Sequence, residues 1–129
     1  MRKLKAFRRI THHLLTQNRK SETGNACWYK LDFQRLGLGS RHPELKCAIG
    51  CLIDDKYYSI DLEGKPIDSP AIQEAVSLSL DEPVSSYDVK FLKRLQDIHD
   101  YEPVDDWKNQ LNDIAKENWD QSLYEMELA

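Results

Sequence analysis

The chain has 129 residues, 40% of them apolar and 31% charged, with a formal net charge of −4. That length fits one compact domain able to bury about two-thirds of its unfolded surface, and no stretch nears the roughly 20 apolar residues a membrane span requires. Three cysteines are too few, and odd in number, for a secreted disulfide framework; with a charged amphipathic start in place of a secretory signal, reduced thiols in a cytoplasmic protein are expected. Charge is unevenly spread: residues 1–20 hold seven basic side chains and no acidic one, so a basic start faces an acidic remainder.

Leu4, Phe7, Ile10, Leu14 and Leu15 recur at helical spacing and predict an amphipathic helix over 3–17, with Arg and Lys on its wet side. The pattern breaks from Asn18 to Pro43, where Gly24, Gly37 and Gly39 predict irregular chain. Within it, Cys27-Trp28-Tyr29-Lys30-Leu31 reads as a short strand or an extended segment packed on the core. Leu45 to Ile53 is nearly free of charge and must be buried. His42-Pro43-Glu44 resembles a helix start, so a second helix is predicted from Pro43 to about Asp54. Residues 55–68 form a long loop with apolar anchors.

Ser69-Pro70 sets a capping hydroxyl before a proline, opening a third helix buried through Ala71, Ile72, Ala75, Val76 and Leu80. Ser85 with Asp88 imitates a capping box for a fourth, striped by Phe91, Leu92, Leu95, Ile98 and His99. After Pro103, a fifth helix carries Val104, Trp107, Leu111, Ile114 and Ala115 to about Trp119, and the acidic tail 120–129 is expected to fray. The fold class that follows is all-α: a single globular domain over 1–129, with about five helices in one compact orthogonal bundle and an irregular Cys27-Trp28 segment packed on it.

Three constellations bear on chemistry. A cysteine-dependent hydrolase would use Cys47 near a helix start as nucleophile and His99 as base. Adjacent helical positions point about 100° apart, however, so Asp100 is not expected to orient His99, and a buried Cys47 acting as a small hydrophobe is favoured. A zinc site would draw on Cys27, His42, Cys47 and Cys51, but no CxxC pair or other signature spacing supports it. Arg2, Lys3, Lys5, Arg8 and Arg9 on the first helix suit phosphate binding, yet no aromatic is interleaved with them and the acidic body opposes nucleic acid. Pairing with acids such as Asp105, Asp106 and Asp113 is the simpler expectation. No phosphate loop, dinucleotide glycine pattern, HExxH or GxSxG occurs, and no cofactor is expected.

Cys27-Trp28-Tyr29-Lys30, Leu45 through Asp54, Tyr57, Glu63-Gly64-Lys65, Leu95 through Asp100 and Trp107 together resemble a family of small uncharacterised phage and prophage proteins with a "C.YR", "LKCA.G.LI.D..Y", "MEG", "LQ..HD" pattern. The likeness spans nearly the whole chain. It departs at Lys30 for the arginine, at Leu62 for the methionine, and by an insertion from Asp32 to His42. The resemblance implies a context rather than a mechanism. Small phage proteins in a host bacterial cytoplasm often bind and block a host protein, such as a defence component. A non-enzymatic protein-binding role is therefore the first expectation, with a protein partner, no membrane and no nucleic acid; the hydrolase and the basic-helix nucleic-acid binder are the alternatives.

Overall fold

The computed structural model describes residues 1–24, 26–37 and 44–129. Helix α1 spans Lys3–Gln17 and buries Ala6, Phe7, Ile10, Thr11 and Leu14, one apolar stripe at three- and four-residue spacing. Leu4, counted in that stripe from the sequence, is instead exposed. The helix stops where Asn18 turns left-handed (φ 52°), a conformation asparagine tolerates better than most residues, and its N–H closes on the Leu14 carbonyl.

Four two-residue strands follow. β1 (Glu22–Thr23) pairs antiparallel with β2 (Ala26–Cys27), and β3 (Lys30–Leu31) pairs antiparallel with β4 (Leu45–Lys46). The predicted second helix is therefore corrected. Its proposed start at Pro43 lies outside the described residues, and the stretch beyond it is strand β4, a turn and a single 3-10 turn over Gly50–Leu52. Burial itself was rightly expected: Cys47, Ala48, Ile49, Leu52 and Ile53 are all in the core. A short apolar run does not distinguish helix from strand by pattern alone, and here pairing with Lys30–Leu31 wins. Two further 3-10 turns, Asp55–Tyr57 and Ile60–Leu62, occupy the predicted loop.

The remaining helices match their capping signals. α2 (Pro70–Leu80) starts at Ser69, whose hydroxyl accepts the Ile72 N–H. α3 (Ser86–Tyr101) starts at a capping box, with Ser85 Oγ accepting the Asp88 N–H and Asp88 accepting the Ser85 N–H. α4 (Trp107–Trp119) follows a 3-10 turn at Val104–Asp106. The fold is mostly helical rather than purely all-α, with four α-helices among the described residues instead of about five.

α1 packs on α3, α4 and the Gly50–Leu52 turn, which places its stripe at the middle of the main core. Phe7 meets Trp119 with ring centroids 4.9 Å apart, while Trp107, Leu111, Ile114 and Ala115 seal the α4 side. Each fully buried large side chain contributes about 1.5–3 kcal/mol by leaving water. The end of the chain differs from its predicted fraying: Leu123 and Met126 are buried, and the Met126 carbonyl accepts Arg8 Nη1–H at 2.9 Å. Among the described residues no helix is long and apolar enough to cross a membrane.

Candidate functional site

Irregular chain leaves backbone N–H groups without ladder partners, and buried ones must find acceptors elsewhere. In this protein those acceptors are side chains from distant segments. Glu63 Oε1 accepts the Tyr29 N–H at 2.9 Å, and its Oε2 accepts the Lys30 N–H at 3.1 Å and the Tyr58 hydroxyl at 2.7 Å. The Tyr29 hydroxyl donates back to the Lys65 carbonyl at 2.5 Å. Gln96 Oε1 accepts the Ile49 N–H at 3.0 Å while its Nε2–H donates to Asp100 Oδ1 at 2.8 Å. Between these ties Gly50 presses on Tyr29 so closely that an added Cβ would stand 1.8 Å from the Tyr29 carbonyl oxygen.

His99 sits at the centre of this knot, with no exposed surface and its ring stacked on Trp107 at 5.5 Å. The Ser21 backbone N–H donates to His99 Nε2 at 2.9 Å, so that nitrogen presents its lone pair. Nδ1 then carries the proton and donates it to Asp100 Oδ1 at 2.8 Å. Both ring nitrogens are consumed by the fold. Asp100 does orient His99, contrary to the adjacency argument from sequence, because the two side chains lean into one crevice.

The knot floors a cleft of about 450 Å3 lined by Cys27, Trp28 and Tyr29 on one side, Gly64 to Asp68 on another, and Lys93, Gln96, Asp97, Asp100 and Tyr101 of α3. Asp100 is half-buried and accepts from His99, Gln96 and the Cys27 thiol; burial opposes its charge, but these donors outweigh it and hold the carboxyl below its usual range. Cys27 is exposed, yet burial of its sulfur and the Asp100 carboxylate push its thiol up to about 11. A thiol this high is a poor nucleophile at neutral pH.

The candidate residues named from sequence separate accordingly. Cys47 is fully buried, burial pushes its thiol far up, and its sulfur accepts the Gly50 N–H at 3.3 Å. With both His99 nitrogens engaged by Ser21 and Asp100, no nucleophile–base pair joins Cys47 to His99. Of the suggested zinc set, His42 lies outside the described residues, Cys47 is core, and Cys51 Sγ donates to the Ala48 carbonyl. The structure instead brings Cys27, His99 and Asp100 together, their ligand atoms all within 4.8 Å of one another. This trio does not suit a metal: freeing Nδ1 as a ligand would put the proton on Nε2, directly against the Ser21 N–H. Removing that donor clash would require the Ser21 peptide to move.

The basic residues of α1 are used mainly within the molecule. Arg8 and Arg9 donate to the carbonyls of Met126 and Cys51, and Arg2 approaches Glu82 at 3.7 Å, so the expected pairing with Asp105, Asp106 and Asp113 gives way to carbonyls and Glu82. Lys3 donates to Asn118 and lies over the Phe91 ring, leaving Lys5 exposed without a partner among the described residues. Sequence reasoning missed the roles of Glu63, Gln96 and Ser21. Their signal was the unpaired amides of an irregular buried segment, which demand acceptors that lysine and arginine cannot supply.

These thiol environments set an expected order of reactivity. At pH 7.5, iodoacetamide should leave Cys47 and Cys51 unmodified in the folded protein and label Cys27 slowly; Asp100→Asn should speed Cys27 labelling severalfold. Mass spectrometry of timed aliquots checks this, and fast native labelling of Cys47 would contradict its sealed position. No family model matches the chain, nor does any curated protein or solved structure.

Proposed function

We propose that this chain is a non-enzymatic protein of phage or prophage type that binds a host or phage protein in the bacterial cytoplasm, using the cleft between α3 and the Trp28–Tyr29 segment. The observation that supports this most is the commitment of the polar groups beneath the cleft. His99, Gln96 and Glu63 hold backbone and side chains of the protein itself, which leaves no free base beside a reactive thiol among the described residues. The rim, by contrast, offers recognition chemistry: Tyr101 is 77% exposed, and Trp28, Lys65 and Lys93 stand near it. Tyrosine and tryptophan at the edge of a concave site supply large contact area at low entropic cost, as interface anchors do. Blocking a host defence component is one use of such a surface. Nucleic-acid binding through α1 loses support because the Arg8 and Arg9 guanidiniums are engaged by the chain's own carbonyls.

Affinity capture from bacterial lysate with the wild-type protein, Tyr101→Ala and Tyr124→Ala tests the reading. Tyr124 is equally exposed at 81% but lies in the C-terminal segment, away from the cleft lining. One stoichiometric partner, weakened at least about tenfold by Tyr101→Ala and untouched by Tyr124→Ala, is expected. No partner, or one indifferent to Tyr101, would overturn it.

A further inference from the structure

The carboxylates of the cleft, Asp68, Asp97 and Asp100, have no ion pair with lysine or arginine among the described residues. Asp100 is held by three neutral donors, the His99 imidazole, the Gln96 amide and the Cys27 thiol, so its charge is solvated by the fold without being cancelled. Lys20 comes near but donates to the Asp100 backbone carbonyl, at 3.4 Å, rather than to the carboxylate. Asp97 shares the Asp100 side of α3 at i and i+3, and Asp68 faces them from the loop before α2; neither carboxylate has an ion pair among the described residues. The two cations of the rim, Lys65 and Lys93, are exposed and make no ion pair among the described residues. Lys93 also precedes Asp97 by four residues, the weaker order for a helical ion pair.

We infer that this cleft receives an arginine side chain of the partner protein, its guanidinium facing Asp100 and Asp97 of α3 and Asp68 of the loop before α2, and its stem lying between Tyr101 and Trp28. This inference rests on the protein-binding reading and specifies its contact. Charge complementarity selects a cation, since a partly buried carboxylate without a counter-charge gains most from one. Carboxylates from two elements with aromatic walls select guanidinium over ammonium, because its planar fork spans two acceptors and packs on rings. A volume of about 450 Å3 is within the range of such pockets.

The test is a titration of the nitrogen-15-labelled protein with a capped Gly-Gly-Arg-Gly-Gly peptide and its citrulline and lysine counterparts. The arginine peptide should shift the Trp28, Asp97 and Tyr101 amides saturably in the millimolar range, and citrulline, which keeps the shape without the charge, should bind at least about tenfold more weakly. Asp97→Asn and Asp68→Asn, which remove carboxylates with no ion pair among the described residues, should weaken the arginine peptide without altering the folded spectrum. Equal binding of citrulline, tighter binding of lysine, or no saturable shift overturns the inference. A captured partner that depends on Tyr101 but ignores Asp97→Asn and Asp68→Asn would remove the arginine and leave the protein-binding reading standing.

Discussion

Gly50→Ala is expected to cost at least ~3 kcal/mol of stability, a large share of an ordinary margin of about 5–15 kcal/mol. The added methyl would lie 1.8 Å from the Tyr29 carbonyl oxygen, 2.6 Å from its carbon and 3.0 Å from its Cα. All three are backbone atoms, so no rotamer change relieves the clash. The chain at Tyr29 would have to retreat, stretching the bonds that Glu63 makes to the Tyr29 and Lys30 N–H groups. Gly64→Ala is the control: its φ of 79° makes alanine strained, but open space surrounds it, so about 1 kcal/mol is expected. Urea unfolding separates the two by midpoint shift at constant slope. Equal, small losses for both variants would contradict the close approach of the two segments.

Glu63→Ala should destabilise by about 3 kcal/mol. It removes the acceptor for two backbone N–H groups and one phenol, and hydrogen bonds to a charged group contribute about 1.5–3 kcal/mol each. The sum is discounted because Glu63 is only half-buried and water can replace part of what is lost. Glu63→Gln keeps one acceptor oxygen but turns an NH2 toward a donor, so its loss should fall between those of Glu63→Ala and Tyr58→Phe, the latter about 1 kcal/mol. Tyr58 remains a donor throughout the neutral range, since burial and then Glu63 push its phenol up. Denaturant titration of the three variants gives the ranking, and a Glu63→Ala protein as stable as wild type would show that the segments are held by apolar packing alone.

Much of the scaffold was legible in the chain, and the reasons are local. Ser69-Pro70 and the Ser85–Asp88 box mark helix starts through bonds made within four residues, and the α3 stripe from Phe91 to His99 is periodic enough to name every buried position but the polar Gln96. The Leu45–Ile53 stretch shows the opposite case. Its burial was plain from the missing charges, but its backbone conformation depends on Lys30–Leu31 and Tyr29, partners far away in sequence that no periodicity reveals. The site was half legible for the same reason. Cys27, Asp100 and His99 were each singled out, yet their meeting depends on Ser21, which brings its N–H to His99 Nε2 across 78 positions of sequence. Counting side-chain directions around a helix predicted that Asp100 would miss His99. That count neglects how a buried polar group bends toward the nearest partner that satisfies it.

Tyr29, Gly50, Glu63, Gln96, His99, Asp100 and Trp107 gather at this knot, touching one another or the same cleft. Their spacing along the chain is therefore accounted for by structure, and a reaction is not needed to explain it. The polar groups hold irregular segments against α3.

Nitrogen-15 spectroscopy of the His99 imidazole in the folded protein at pH 7.5 tests this most directly. A proton on Nδ1, a bare Nε2 coupled to the Ser21 amide, and no change on adding stoichiometric zinc are expected. A proton found on Nε2, or an Nδ1 that zinc captures, would mean that His99 is available for chemistry, and the assignment of the knot to structure would fail.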